Sequence, residues 1–362
     1  MINPLSISNF KSIKSLETDC SRINIFIGEP NVGKSNILEA LSLFTIPYIL
    51  SETNKSFNSF IRYKNLKNLF YDNMPNKSIE VSTNIGSACF RFHNNLVYDL
   101  IIAPKKSDIS LFNDANTTSD LESTYSELIE SKENFDSEYL KLYYQIFNGN
   151  GDASGISRQR SDYYSSIRKY SFNKSTPINS GFLKYLVPPY GENLTSIIQN
   201  NSELLTEISS FFDNYKLELL FDVENNIFEI QKKVNKIIYK YPFQLLADTL
   251  QRIIFYLAVV ETNSDTVILL EEPETHSYPP FTKLLAEKMS RSNNQFFIST
   301  HSPYLLNNLI ENTDFSELGI YITYLEDYQT KIRKLERAEI EQILDDYIDV
   351  FFNLDKFQIN AK

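Results

Sequence analysis

The sequence predicts an α/β protein with a parallel central sheet, an antiparallel β subdomain and a mainly helical insertion. Three apolar runs predict central strands, at residues 23–27, 266–270 and 295–299. Strands that are buried on both faces of a parallel sheet have continuous apolar runs of this kind. The β-prone runs 78–83, 88–93 and 97–103 are separated by short turns, and they predict antiparallel strands of the same unit.

A phosphate-binding motif follows the first of these strands. Residues 28–35 fit the pattern G-x-x-x-x-G-K-[ST] at every fixed position, and helical apolar spacing begins after them. We expect backbone N–H groups at the helix N-terminus to hold phosphate, Lys34 to reach the β and γ oxygens, and Ser35 to bind Mg²⁺. The alternative, a chance glycine-rich turn, is disfavoured by the flanking strand and helix. The predicted nucleotide contacts are Gly28, Asn31, Val32, Gly33, Lys34, Ser35 and Asn36.

Two adjacent carboxylates end the second strand. Glu271 and Glu272 follow the run 266–270 directly. Glu271 is predicted to hold Mg²⁺ through the water shell of the ion, and Glu272 to orient or deprotonate an attacking water molecule. A solvated acidic turn is the alternative interpretation.

A histidine follows the third strand. His301 is one of only three histidines in the chain, and it comes shortly after the run 295–299. An imidazole at such a strand end can hydrogen-bond a γ-phosphate or the attacking water. Taken alone, His301 is equally well explained as a capping or core histidine. Its place as the third element in this order favours the nucleotide site.

Together these motifs resemble those of the ABC-type ATPase heads of the RecF/SMC/OLD group, and within that group the AAA-15/AAA-21 proteins of prokaryotic defence operons. The resemblance is carried by residues 4–13, 28–35, 269–274 and 299–303. It implies a P-loop ABC-ATPase head with ATP and Mg²⁺ as cofactors. It also implies that Glu272 is the catalytic carboxylate and His301 the switch histidine. Glu271 stands where many such heads carry Asp.

The same resemblance implies a dimer, because these heads complete each ATP site with a signature segment from the partner. The matching segment is residues 246–252, in which Ala247 replaces the usual Ser and Thr249 the usual Gly. Loss of a hydroxyl donor and of a glycine that permits close backbone approach weakens the contact. Asp248, Thr249 and Arg252 are the predicted substitutes, with a surface cation as the alternative for Arg252. We therefore expect ATP binding with slow or trigger-dependent hydrolysis.

Composition restricts the class of protein. The 362 residues carry a formal net charge of −11, so general attraction to nucleic acid is not expected. The basic stretch 158–174 also contains aromatic residues, but a solvated helical arm is favoured over a nucleic-acid site. Two cysteines without metal-site or disulfide spacing, and no apolar run of about 20 residues, predict a cytoplasmic protein without a membrane span.

Three parts are predicted along the chain. Residues 1–106 form the N-terminal half of the ATPase head, 107–185 the mainly helical insertion, and 186–362 the C-terminal half with the signature segment, the two carboxylates and His301. Outside the nucleotide site, the sequence shows no Cys/His metal cluster and no nucleophile–base pair. Further chemistry is therefore expected to belong to another protein.

The leading hypothesis is an ATP-dependent switch that assembles around ATP, at least as a dimer, senses phage and controls a separately encoded effector such as a nuclease. The phage and effector parts rest on the resemblance alone. Two alternatives stay open: a RecF-like DNA repair or maintenance ATPase, and a scaffold that binds ATP with little hydrolysis.

Overall fold

A computed structural model describes residues 1–51, 55–93, 97–112, 118–130, 137, 139–154, 165–176, 183–213, 215–222, 227–345 and 349–359. The strands, numbered along the chain, are β1 Leu5–Phe10, β2 Ile13–Thr18, β3 Ile23–Ile27, β4 Ile79–Thr83, β5 Gly86–His93, β6 Val97–Ala103, β7 Tyr143–Phe147, β8 Ala153–Ser154, β9 Ile167–Tyr170, β10 Glu218–Asp222, β11 Ile227–Val234, β12 Ile237–Pro242, β13 Val267–Glu271, β14 Gln295–Ser299, β15 Leu318–Glu326 and β16 Gln329–Lys334. The helices are α1 Lys34–Leu41, α2 Lys106–Ser110, α3 Thr118–Glu130, α4 Leu194–Gln199, α5 Ser202–Asp213, α6 Asp248–Thr262, α7 Pro279–Arg291, α8 Pro303–Asn312, α9 Arg337–Asp345 and α10 Leu354–Ile359.

The central sheet has six strands in the order β16-β15-β3-β14-β13-β9. Five of them are parallel, and β16 closes one edge antiparallel to β15. All residues of β3 and β14 are buried, because helices pack on one face of the sheet and a second sheet packs on the other. Parallel strands end at the same edge, so the segments after β3, β13 and β14 come together there.

The second sheet is the predicted antiparallel subdomain. Its seven strands run in the order β2-β1-β4-β5-β6-β7-β8, and the predicted strands 78–83, 88–93 and 97–103 are confirmed as β4, β5 and β6. The core between the two sheets also contains α1 and the 3₁₀ helix Ser42–Ser51. The outer face of this sheet is covered by α2 and α3.

A second core lies between the opposite face of the central sheet and α6, α7 and α8. All residues from Ile253 to Val260 of α6 are buried, as expected for a helix that is apolar on every side. A small antiparallel sheet, β10-β11-β12, precedes α6, and all six residues of β12 are exposed. In the part of the chain that the structure describes, no helix is long and apolar enough to cross a membrane.

The segment 107–185, predicted to be mainly helical, is more mixed in its described part. It contains α2 and α3, but β7 joins the antiparallel sheet and β9 joins the edge of the central sheet. β7 is buried throughout because its residues contribute to the cores on both faces of the antiparallel sheet. A short run buried on both sides carries no alternation by which sequence could separate it from a helix.

The strand β9 could not be recognised in the sequence because it contains two buried cationic residues. Arg168 and Lys169 make up half of this four-residue strand, and both are buried. Arg168 donates to the side-chain oxygen of Asn263 over 2.6 Å, and Lys169 donates to the carbonyl of Phe60 over 2.9 Å. These cations are therefore structural and do not lie on the predicted solvated arm. The other arginines of that stretch, at positions 158 and 160, lie outside the described residues.

Candidate nucleotide site

The motif loop connects β3 to α1, as its sequence predicts. Gly33 caps the helix with a left-handed φ of 99°, and a Cβ at this position would lie 2.0 Å from Oγ1 of Thr330. The hydroxyl of Thr330, a residue of β16, donates to the carbonyl of Val32 over 2.8 Å. This hydrogen bond holds the loop against β16. Both the backbone conformation and the close approach of Thr330 require glycine here.

Lys34 begins α1, and its side chain folds back over the loop. Its Nζ donates to the carbonyls of Gly28, over 2.9 Å, and Glu29, over 2.7 Å. Burial lowers the pKa of Lys34 to about 8, and the negative charge of Glu272 opposes this shift. An ammonium that is already largely dehydrated can exchange these carbonyls for phosphate oxygens, which are stronger acceptors.

An open cleft of about 350 Å³ lies over the start of α1. The loop, the end of β13, the turn after β14 and one further arginine form its walls. The lining residues are Pro30, Asn31, Gly33, Lys34, Ser35, Asn36, Arg62, Glu271, Glu272 and His301. The structure thus brings most of the predicted site residues to one place. Gly28 and Val32 belong to the same loop, where Val32 is buried beneath the cleft surface.

Glu272 and His301 face each other across the cleft. Oε1 of Glu272 lies 3.9 Å from Nε2 of His301, and each side chain is about two-fifths exposed, at 45% and 39%. Glu272 has a left-handed φ of 44°, and its N–H donates to the carbonyl of Ser299 over 2.9 Å. Burial and the charge of Lys34 lower the pKa of His301, while Glu272 opposes them. The imidazole is therefore mainly neutral at pH 7.

Glu271, the last residue of β13, contacts two cations. Its Oε1 accepts a hydrogen bond from Nη2 of Arg62 over 2.7 Å, and its Oε2 lies 3.7 Å from Nζ of Lys169. Arg62 also donates from Nε to Oε1 of Glu39 over 2.7 Å. One carboxylate therefore anchors Arg62 at its base while the tip of the guanidinium reaches the cleft.

Glu39 carries a fully buried carboxylate beneath this cleft. It accepts hydrogen bonds from Nζ of Lys11 and from Arg62. Burial by itself would raise the pKa of Glu39, but the charges of Lys11 and Lys169 and the two hydrogen bonds outweigh it. The pKa of Glu39 consequently lies below its usual value.

We expect Glu39→Gln to destabilise the fold by about 3 kcal/mol at pH 7, because removing one member of a buried ionic cluster leaves the others uncompensated. The folded-state pKa lies below the ordinary value of 4.5. The stabilisation is therefore complete above pH 4.5 and is lost as the pH falls through the folded-state pKa. Urea unfolding at pH 7 and at successively lower pH should show the difference between variant and wild type shrinking with acid.

The exposed Glu17 provides the matched control for this change. Glu17→Gln should leave the free energy of unfolding within about 0.5 kcal/mol of wild type. An equal loss for Glu39→Gln at neutral and acidic pH would show that packing, and not charge, makes the contribution.

The predicted signature residues lie outside the cleft of their own chain. Asp248 accepts from Nε of Arg252 over 2.7 Å, one helical turn along α6. Thr249 donates its hydroxyl to the carbonyl of His276 over 2.9 Å. The guanidinium of Arg252 also lies 4.9 Å from the ring centre of Phe172. All three side chains predicted to replace the usual signature contacts therefore already have partners within the chain.

Sequence reasoning missed the charged residues around Glu271. Arg62 lies between the 3₁₀ helices Phe57–Ser59 and Leu66–Leu69, where no periodicity or motif spacing marks it. Lys169 interrupts a strand that is too short to recognise. Glu39 alone carries a local signal, because it stands among apolar residues on one helix. A carboxylate at such a position requires a cationic partner once it is buried.

Ser35 and Glu271 are the predicted magnesium contacts, and both line the cleft. A hydroxyl and a carboxylate form a donor set that Mg²⁺ accepts when phosphate oxygens and water complete its octahedron. Within the described ranges, no group of three or more His, Cys, Asp or Glu side chains could hold a metal ion. The hydroxyl of Ser35 and the carboxylate of Glu271 fit a Mg²⁺ ion whose other ligands are phosphate oxygens and water.

The chain has the fold of an ABC- and SMC-like P-loop ATPase head. Residues 23–307 match the family model described as "AAA domain, putative AbiEii toxin, Type IV TA system". Because this match spans most of the chain, the chain belongs to that family.

Two relatives and one solved structure are similar to the chain. An ATP/GTP phosphatase of Helicobacter pylori is 23% identical over 350 residues, which cover 87% of this chain and 90% of that protein. An uncharacterized protein of Methanocaldococcus jannaschii, MJECL10, is 34% identical over 96 residues, or 23% of this chain and 40% of that one. The structure of an SMC head bound to the C-winged helix domain of ScpA aligns with a TM-score of 0.50 and 15% identity, covering 93% of this chain and 99% of that chain. That likeness concerns the fold alone.

Proposed function

We propose that the chain binds Mg²⁺–ATP in this cleft and hydrolyses it to ADP and phosphate. The observation that supports this most directly is the meeting of Lys34 and Ser35 with Glu272 and His301 in one cleft. These residues lie in the segments that follow β3, β13 and β14, which are neighbours in the parallel sheet. A cleft of this composition can hold a triphosphate and place a water molecule beside its γ-phosphate.

Three side chains act on the reacting groups in this proposal. Lys34 transfers its hydrogen bonds from the loop carbonyls to the β and γ oxygens and offsets their charge. Glu272 accepts a hydrogen bond from the attacking water and removes its proton. His301, mainly neutral and close to Glu272, orients the same water or the γ-phosphate.

Three further residues support the phosphates. Ser35 would bind Mg²⁺ directly and Glu271 would hold its water shell, and the bound ion would neutralise part of the phosphate charge. Arg62 pairs with Glu271 at the cleft wall, and a triphosphate offers its guanidinium a competing anion. Since Glu39 holds the Nε edge of Arg62, the tip can change partner without the side chain leaving the cleft.

A second copy of the chain completes the site in this proposal. Asp248, Thr249 and Arg252 stand at the start of α6 and do not line their own cleft, as a contact made in trans requires. Their present hydrogen bonds would have to be exchanged when two heads close around ATP. That exchange favours slow or trigger-dependent turnover over continuous cycling.

The proposed biological role rests on the description of the family. The family description, which names a toxin–antitoxin system, supports a regulatory ATPase in prokaryotic defence that acts in the cytoplasm with a separate effector. The phosphatase name of the Helicobacter relative supports nucleotide hydrolysis. Residues 1–106 and 186–362 are proposed to form most of the head, and β7 and β9 of the segment between them add one strand to each of its two large sheets.

Mixing two inactive variants tests the composite site. Lys34→Ala disables the loop, and Ala247→Glu places a carboxylate at the exposed start of α6, where it repels a partner's γ-phosphate. Each variant alone should be inactive, whereas an equimolar mixture should regain part of the wild-type steady-state turnover. Mixed dimers contain one site in which both halves are intact. Wild-type turnover should also rise faster than linearly with protein concentration.

Leu245→Glu provides the matched control, because Leu245 is 71% exposed and lies two residues before Ala247. It should keep wild-type turnover. If the mixture stays inactive while wild type turns over ATP, the signature segment does not act in trans.

One observation favours the alternative scaffold. The Thr249 hydroxyl already has a carbonyl acceptor, and Ala247 supplies no hydroxyl at all. A chain that binds ATP tightly yet shows no more turnover than Glu272→Gln at any protein concentration would be a nucleotide-locked scaffold.

A further inference from the structure

Glu274 is a carboxylate that the proposed reaction does not use. It lies in the turn after β13, two residues beyond Glu272. One of its oxygens, Oε1, accepts a hydrogen bond from the hydroxyl of Thr300, the residue before His301. The other, Oε2, is shielded from solvent. Burial raises the pKa of Glu274, while the Thr300 hydroxyl and the backbone N–H groups of Glu274 and His301 oppose that shift. Keeping such an oxygen buried costs free energy, so the side chain needs a compensating role.

Thr300 connects this carboxylate to the histidine turn. Thr300 is fully buried, and its Oγ1 accepts a hydrogen bond from the backbone N–H of Ser302 over 2.9 Å. Since Oγ1 is already an acceptor there, its own hydrogen is free to point to Glu274. The side chain of Thr300 is thus held from both sides, and it spans the turn that contains His301.

A second link joins the same two turns at the backbone. The N–H of Glu272 donates to the carbonyl of Ser299 over 2.9 Å. The hydroxyl of Thr275 donates to Oε2 of Glu272 over 3.3 Å. The backbone hydrogen bond from Glu272 to Ser299 therefore joins the two turns beside Glu272, and the Glu274–Thr300 hydrogen bond joins them beside His301. Together they span the gap across which the two cleft side chains face each other.

We propose that Glu274 is a positioning residue, which accepts the Thr300 hydroxyl and thereby fixes the separation of Glu272 and His301. This inference rests on the proposed hydrolysis at the cleft. The role requires an acceptor oxygen, which an amide also supplies. Glu274→Gln should therefore preserve the link, whereas Glu274→Ala and Thr300→Val should each remove it.

Turnover should fall about tenfold in Glu274→Ala and in Thr300→Val, because small misplacements of reacting groups slow chemistry strongly. ATP affinity should not change, since the hydrogen bonds of the two side chains join Glu274, Thr300 and Ser302 and do not involve the phosphate-binding loop. Glu274→Gln should keep kcat within about twofold of wild type, since the hydrogen bond is retained. The double variant Glu274→Ala/Thr300→Val should be no slower than either single variant, because both remove the same link.

Thr323→Val is the matched control for Thr300→Val. Thr323 is fully buried, and its hydroxyl has no hydrogen-bond partner in the described part of the chain. Its replacement by an isosteric residue should leave kcat unchanged. Should Glu274→Ala fail to fold, Thr300→Val carries the same test.

A readout independent of turnover separates this inference from the proposed function. Only three histidines occur, so the ring signal of His301 can be assigned in a ¹H–¹³C spectrum of the full chain with a His301→Gln variant. Both link-removing variants should move that signal in the same direction, and Glu274→Gln should not. If wild type lacks turnover but the ring responds in this way, the hydrolysis proposal fails and the link stands.

Three results would overturn the inference. The first is a Glu274→Gln variant that loses as much turnover as Glu274→Ala. The second is a double variant whose loss equals the product of the two single losses. The third is a His301 signal that is the same in all variants.

Discussion

Glu272→Gln is expected to reduce ATP turnover by at least about a hundredfold while ATP binding persists, because an amide cannot take a proton from water. Glutamine retains the shape of the glutamate side chain, so its amide oxygen can still accept the hydrogen bond from the Thr275 hydroxyl. Steady-state phosphate release and calorimetric titration with ATP measure the two quantities. The variant should also accumulate as an ATP-bound dimer, visible by sedimentation velocity.

Glu29→Gln is the matched control, since Glu29 is an exposed carboxylate on the loop itself. The removal of its charge should leave turnover within about twofold of wild type, because its side chain does not line the cleft. A Glu272→Gln variant with near-normal turnover would exclude Glu272 as the proton acceptor. A general loss in both variants would point to the charge of the cleft as a whole.

Sequence predicted the parts of this site that depend on local pattern. A loop motif, an acidic pair and a histidine each follow a continuous apolar run, and such runs identify parallel strands without further information. Because parallel strands end at one edge, the three segments could be placed together before any coordinates were known. The fold class was predictable for the same reason.

The rest depends on contacts between distant residues. Arg62 reaches Glu271 across 209 positions of the chain, and no local feature of its turn-rich segment indicates that partner. Lys169 can be buried in β9 because its ammonium group donates a hydrogen bond to the Phe60 carbonyl and pairs with the carboxylate of Glu271. A strand with cations at such positions resembles a surface segment until its partners are known. β9 was missed for this reason, whereas β7 was missed because a short run buried on both faces shows no alternation.

The ion pairs around Glu271 also bear on how the site responds to nucleotide. Arg62 and Lys169 both contact the carboxylate of Glu271. In the proposed reaction, a phosphate chain that drew Arg62 away would leave Glu271 paired with Lys169 and would free a carboxylate lone pair for the water shell of a magnesium ion. Nucleotide binding and metal binding are therefore expected to support each other at this carboxylate.

Lys34→Ala is expected to weaken ATP binding by at least about a hundredfold, the largest binding effect at the site. Two charged hydrogen bonds to phosphate are lost, and each contributes about 1.5–3 kcal/mol. Calorimetric titration at pH 7 measures the change. Lys14→Ala removes an exposed lysine of β2 and should leave the affinity unchanged.

The pH dependence of ATP affinity gives an independent test of the same lysine. Burial lowers the pKa of Lys34 to about 8, and bound phosphate favours its charged form. Affinity should therefore be nearly constant below pH 7.5 and should fall by up to about tenfold for each pH unit above 8.5, because protonation must then precede binding. A Lys34→Gln variant should bind weakly and without this slope. If the wild-type slope persists in that variant, another group is responsible and Lys34 does not carry the charge that ATP requires.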